Sequence, residues 1–144
     1  MNSAVSHAAT HSERGRTPRW RARALGVLLA VLATVLIWVV AVPVAGVDLE
    51  ATVAEGEPPM QIGLGAVIAT SLLLSLLGWG LLEFLERFTR RGLRIWVIVA
   101  SVFTLVSLLG PTTAESGSAM LVLALMHLAL GAVLIAAMTR TTRG

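Results

Sequence analysis

The sequence predicts an all-α protein, a four-helix transmembrane bundle with both termini cytoplasmic. Three observations support this fold class. The chain of 144 residues is 56% hydrophobic and only 13% charged, which is more apolar side chain than a soluble domain of this length can bury. The apolar residues fall in four blocks, three of them near the roughly 20 residues that cross a bilayer as a helix and one, the third along the chain at residues 95–109, shorter. All basic residues are arginines, and they lie in the segments that alternate with two acidic loops.

The chain begins with an arginine-rich polar segment, residues 1–23, which we predict to be a disordered cytoplasmic tail. The first span is predicted at residues 24–45 and is long enough to cross a membrane. A cleaved signal peptide is the alternative, because arginines precede this span and Val42–Ala45 resembles a cleavage site. We favour an uncleaved span, since the apolar run exceeds the ~7–15 residues of a signal-peptide core.

The remaining spans are predicted at residues 62–82, 93–110 and 119–138, followed by a short tail at 139–144. Eleven arginines and three glutamates fall in the segments that we place inside. The two loops that we place outside, 47–61 and 112–118, hold five acids and no arginine. Because short basic loops stay on the cytoplasmic side, we predict a multi-pass protein of the plasma membrane with its N-terminus inside.

A charged cluster separates the second span from the third. Its glutamates precede arginines by four residues, a spacing that stabilises a helix. We interpret the cluster as a cytoplasmic anchor that sets topology. A sharper hypothesis makes Arg87–Arg94 a docking patch for anionic lipid or a partner protein. Nucleic acid is not an expected partner, because the arginines lie at span ends rather than on one face. The cluster consists of Glu83, Glu86, Arg87, Arg90, Arg91 and Arg94.

Polar side chains occur at similar depth in the four predicted spans and define a candidate mid-membrane polar layer. Counted from the outer span ends at 1.5 Å per residue, four of them lie roughly 12–17 Å deep, near the centre of a ~30 Å core. We predict that the histidine is neutral and hydrogen-bonded to Ser71, Ser101 or Thr104. The alternative is that Ser and Thr bond to carbonyls of their own helices. The layer comprises Thr34, Ser71, Ser101, Thr104 and His127.

Small residues four positions apart indicate close helix approach, either within the bundle or between protomers. These pairs are Gly26 with Ala30, Ser71 with Ser75, and Ala100 with Thr104. Catalytic and cofactor motifs are not found: there is no nucleophile elbow, phosphate-binding glycine loop or HExxH. One intramembrane histidine cannot by itself build a metal or bis-histidine haem site. We therefore expect no enzyme activity, no metal and no cofactor.

Three stretches resemble a family of uncharacterised four-span membrane proteins from high-GC Gram-positive bacteria. They are Gly46–Leu49, Gly78–Arg91 and Leu123–Ile135, the last containing the pair Met126-His127. The resemblance covers about residues 24–138 and leaves the arginine-rich tail outside. It implies a four-span architecture and no assigned activity.

The leading functional hypothesis is a non-enzymatic integral membrane protein that acts by interaction, as a scaffold or accessory subunit. Besides the lipid bilayer, its expected partner is a second copy of the chain or another membrane protein. The alternative is a small oligomeric transporter or channel subunit that uses the polar layer around His127. A water-accessible path to His127 would favour transport, and a dry bundle would favour interaction. Acids and a histidine facing one cavity would favour an enzyme.

Overall fold

The fold is a bundle of four long helices, seen in a computed structural model that describes residues 19–52 and 58–143. Short helical turns at Val40–Val44 and Gly110–Thr113 extend the first and the third helix. With these turns included, all four helices are long and apolar enough to cross a membrane. This confirms the predicted all-α, four-span class. The helices are α1 (Arg19–Val39), α2 (Leu64–Phe88), α3 (Gly92–Ser107) and α4 (Gly117–Arg143).

The first helix begins earlier than the sequence predicted. Residues 19–23 belong to α1, whereas the first span was expected to start at Ala24. The rest of the predicted tail, residues 1–18, lies outside the described residues. The buried positions of α1 include Arg23, Gly26, Ala30 and Thr34, whose spacing of three and four residues places them on one helix face. An arginine is therefore part of the packed face of α1.

The helices form a four-cornered arrangement in which each packs against two neighbours. α1 contacts α2 and α4 along its length, and α3 contacts α2 and α4, while α2 and α4 meet only slightly across the diagonal. Close approach depends on small residues, as predicted. A Cβ on Gly26 would lie 2.7 Å from the Cβ of Ala137, and one on Gly131 would lie 2.6 Å from Cγ2 of Thr104.

A small β-hairpin closes one end of the bundle, which we call the hairpin end. β1 (Glu50–Ala51) pairs antiparallel with β2 (Met60–Gln61), and Ala51 also bridges to Ala114 in the loop before α4. Leu49 is only 2% exposed and belongs to an apolar cluster with residues of α4. The segment 47–61, which the sequence analysis treats as a loop, therefore contains two short strands: Ala51 in β1 is buried, whereas both residues of β2 are exposed. Glu55 and Glu57 lie outside the described residues.

Two glycines mark helix boundaries, one at a close approach of two helices and one in a left-handed conformation. Gly92 begins α3, and a Cβ there would lie 2.7 Å from the backbone N of Glu86. The left-handed stop is Gly46, with φ +67°, after a π-helical turn that contains Pro43. In that turn the N–H of Ala45 donates to Val40 O at 2.9 Å, so one wide turn accommodates the proline.

Candidate functional site

A buried arginine joins α1 to α2 at the end of the bundle opposite the hairpin, which we call the charged end. Arg23 is 2% exposed, and its guanidinium donates to Glu83 through Nη1 and to Glu86 Oε2 through Nη2, the latter at 2.8 Å. Trp79 Nε1 also donates to Glu83 Oε1, at 3.0 Å. We call these four side chains the Arg23 clamp. Glu83 and Glu86 are three residues apart, so one helix face presents both carboxylates to α1.

The clamp changes the predicted pairing of the charged cluster. Sequence spacing predicted that Glu83 and Glu86 would pair with arginines four residues later, but the described residues show their ion pairs with Arg23. The four arginines that connect α2 to α3 are exposed and form no ion pair with any described residue. We call this set the arginine turn: Arg87, Arg90, Arg91 and Arg94.

Two members of the predicted polar layer meet between α1 and α2. The hydroxyl of Thr34 donates to Val31 O at 2.8 Å and lies 3.0 Å from Ser71 Oγ. Because the Thr34 proton is used by the carbonyl, Ser71 must supply the hydrogen between the two hydroxyls. The contact is buried, so it joins two helices by a polar bond in an apolar setting.

The other hydroxyls of the layer do not join this contact. Thr104 donates to Ala100 O at 2.8 Å within its own helix, which is the alternative that the sequence left open. Ser101 is half-buried and lines neither of the two grooves described below. The layer is therefore a two-residue contact with separate polar groups around it.

The predicted partners of His127 were wrong. His127 Nδ1 lies 2.7 Å from Leu123 O, one turn earlier in α4. A carbonyl oxygen only accepts, so Nδ1 carries the hydrogen, and in the neutral ring Nε2 is an acceptor. No described residue bonds Nε2, and this atom is not among the fully enclosed polar atoms. The backbone of α4 therefore fixes the tautomer and leaves a lone pair accessible.

Two grooves lie on either side of His127. The larger, here called the main groove, has a volume of about 400 Å³ between α2, α3 and α4. The smaller has a volume of about 200 Å³, lies between α1, α2 and α4, and includes Thr34 and Ser71 in its wall. Both walls are mainly leucine and other apolar side chains, and His127 belongs to both. The histidine thus separates two apolar spaces within the spanning helices.

Trp96 forms part of the wall of the main groove. It is 1% exposed, and its indole Nε1 donates to Gly78 O at 2.7 Å. The absence of a side chain at Gly78 opens that carbonyl to the indole, since a Cβ there would already approach Leu134 and Trp96. A buried indole needs a partner for its N–H, and the backbone of α2 supplies one.

The part of the chain that the structure describes contains no group of three His, Asp or Glu side chains able to hold a metal ion. A family model described as a family of unknown function (DUF6069) matches residues 14–144. The match begins ten residues before Ala24, so the expectation that the arginine-rich tail lies outside the family was wrong for residues 14–23. Comparison with curated proteins and with solved structures gave no match.

Proposed function

We propose, for a chain that belongs to the DUF6069 family of unknown function, a non-enzymatic role as a multi-pass membrane protein that acts by interaction, as a scaffold or accessory subunit. The observation that carries this proposal is the arginine turn. It gathers four exposed guanidinium groups within eight residues at the charged end. Arg23 forms ion pairs with both nearby glutamates, and within the described residues the arginine turn forms none.

The chemistry of the arginine turn fits an anionic headgroup at a membrane surface. Guanidinium is always charged and binds phosphate oxygens in a bidentate manner. Clusters of four to eight basic residues beside a membrane helix attract anionic lipids, with about 1 kcal/mol from each residue. The arginine turn begins in the last turn of α2 and ends in the first turn of α3, where such headgroups would lie. We infer that anionic lipid binds there and orients the protein.

The proposed location is the plasma membrane of a high-GC Gram-positive bacterium, with the charged end and the N-terminus in the cytoplasm. The support is the charge asymmetry, because arginine-rich short loops remain inside. The hairpin end would then face outward, with a surface that includes the exposed acids Asp48 and Glu115.

Cysteine labelling is expected to test this orientation directly. The chain has no native cysteine, so Ser116→Cys at the hairpin end and Thr89→Cys at the charged end each introduce one reactive thiol. In intact cells a membrane-impermeant maleimide should modify only the Ser116 variant, and lysis should expose the Thr89 variant. Modification of Thr89→Cys in intact cells would show that the chain has the opposite orientation.

Lipid selectivity tests the interaction role. We expect native mass spectrometry to detect phosphatidylglycerol retained on the protein in preference to phosphatidylcholine. The variant Arg90→Gln/Arg91→Gln should lower phosphatidylglycerol affinity about tenfold or more, at about 1 kcal/mol for each arginine removed. High salt should weaken the same binding, because exposed charges are screened.

The matched control for lipid binding is Arg19→Gln/Arg21→Gln, which removes two exposed arginines from the same end of the bundle. It should reduce binding much less if the arginine turn is a localised site. Equal losses in both double variants would indicate diffuse attraction to total charge. That outcome would show that the arginine turn is not a specific lipid site, and the proposed interaction role would lose its main support.

A second candidate function is a transporter or channel subunit, and the observation that favours it is the accessible Nε2 of His127 between two grooves. Ionisable groups within a membrane span commonly mark a substrate or proton path. Proteoliposomes carrying a pH-sensitive dye would show proton flux that His127→Gln and His127→Leu both abolish. If liposomes with the native protein show the same proton flux as empty liposomes, the transport function is contradicted and the interaction role stands.

A further inference from the structure

The main groove has the size and composition of a ligand site. Its volume of about 400 Å³ lies within the ~300–1,000 Å³ common for small-molecule pockets, which are mostly apolar with a few placed polar groups. It lies between α2, α3 and α4, and the small residues Gly78, Ala100 and Gly131 are part of its wall.

Every hydrogen-bond donor in the groove wall is already used. Trp96 Nε1 donates to Gly78 O, the Thr104 hydroxyl to Ala100 O, and the Ser107 hydroxyl to Thr104 O. The fourth donor, His127 Nδ1, bonds Leu123 O. Among the side-chain nitrogens of the described lining residues, His127 Nε2 is the one for which no hydrogen bond is seen, and it is an acceptor. A molecule that only accepts hydrogen bonds would find no donor here.

We propose that the main groove binds a lipid-soluble molecule with a hydroxyl donor, and that His127 Nε2 accepts its hydrogen bond. The apolar wall takes the hydrocarbon part of the molecule. The donor requirement selects phenols and alcohols over the matching ketones, ethers and esters, because the latter leave Nε2 unpaired. A phospholipid acyl chain also fits an apolar groove, but it brings no donor to this depth. The hydroxyl donor could belong to a phenol or to an aliphatic alcohol.

This site is separate from the proposed interaction role. The arginine turn lies at the charged end, and none of its residues lines the main groove. Loss of anionic lipid binding would leave the groove proposal unchanged, and failure of the groove experiment would leave the interaction proposal unchanged.

A matched pair of probes isolates the hydrogen bond. 4-Dodecylphenol and 4-dodecylanisole have the same apolar body, but only the phenol donates. Binding to the full chain in nanodiscs should favour the phenol by roughly threefold to tenfold, as one net hydrogen bond provides. Equal affinity of the two probes would overturn the proposal and indicate simple partition into an apolar space.

Two variants and a control distinguish the contribution of the groove volume from that of the hydrogen-bond acceptor. His127→Leu should remove the preference for phenol over anisole while keeping some affinity for both. Ala100→Leu should fill the groove from α3 and weaken both probes, whereas Thr34→Val, on the far side of His127, should leave both affinities unchanged. Circular dichroism confirms that each variant is folded. Undiminished binding to folded Ala100→Leu would place the probes elsewhere and overturn the proposal.

Nitrogen NMR gives a readout at the acceptor itself. The chain has three histidines, and loss of one signal set in His127→Gln assigns the ring. The free protein should show a protonated Nδ1 and an unprotonated Nε2, and the phenol should shift Nε2 while the anisole does not. A protonated Nε2 in the free protein would contradict the proposal. Displacement of the phenol by 1-dodecanol supports the aliphatic source, and resistance to it supports the aromatic source.

Discussion

Replacing Arg23 with methionine is expected to destabilise the bundle by about 2–3 kcal/mol. The guanidinium is 2% exposed and bonds both Glu83 and Glu86, so the substitution removes a charged hydrogen-bond donor from each of the two carboxylates. Breaking a buried ion pair from one side commonly costs about 3–5 kcal/mol. The lower figure applies here because the Glu83 side chain is 56% exposed and water reduces its penalty.

The measurement is an unfolding titration with sodium dodecyl sulfate in mixed micelles, followed by circular dichroism. Arg21→Met is the matched control, since Arg21 is two residues away and exposed, and it should change stability by less than about 0.5 kcal/mol. Arg23→Lys should fall between the two. A lysine keeps the charge but cannot present two parallel N–H groups to separate carboxylates.

A triple variant tests whether the loss of stability in Arg23→Met comes from the broken ion pairs of the Arg23 clamp. In Arg23→Met/Glu83→Gln/Glu86→Gln the stranded charges are gone, so most of the lost stability should return. Replacing a whole buried ion pair with neutral groups is often close to neutral, unlike removal of one partner. If the triple variant is less stable than Arg23→Met alone, the arginine acts through its hydrocarbon packing rather than through the two glutamates.

The number, class and approximate positions of the helices could be predicted from the sequence, whereas the clamp could not. Apolar blocks of about 20 residues have few alternatives to a spanning helix. The ion-pair partner of Glu83 could not be predicted, because Arg87, four residues later, and the distant Arg23 are both candidates. The one signal that favoured Arg23 was its place on the same helix face as Gly26, Ala30 and Thr34, a face that packing was expected to bury.

The hairpin and the main groove were not predictable for a different physical reason. Strands of two residues are too short to show the alternation that identifies a strand. The groove lies between α2, α3 and α4, where α2 and α4 meet only slightly across the diagonal of the bundle. His127 was expected to find a hydroxyl on another helix, but the carbonyl of Leu123 one turn away was already within reach, as backbone acceptors commonly are for polar side chains in helices.

Adding one methyl group at Gly26, where α1 contacts α4, is expected to give the second large loss of stability. A Cβ on Gly26 would lie 2.7 Å from Ala137 Cβ, so Gly26→Ala should force these helices apart and cost about 1–3 kcal/mol, as overpacking does. This contact lies between α1 and α4, the most extensive helix pair in the bundle. Gly80→Ala is the matched control, since nothing lies within 4 Å of a Cβ there, and it should be neutral or slightly stabilising.

The exchange Gly26→Ala/Ala137→Gly tests the contact itself. With the alanine methyl removed from α4, the nearest Ala137 atom to the new Cβ is Cα at 3.9 Å, an ordinary contact. The double variant should therefore recover to within about 1 kcal/mol of the native stability, and its coupling energy should exceed about 1 kcal/mol in the same titration. Additive losses in the two single variants would mean that α1 and α4 do not meet at these residues. Because the exchange keeps the composition of the chain, changes in total hydrophobicity cannot account for a recovery, and only the fit between the two helices can.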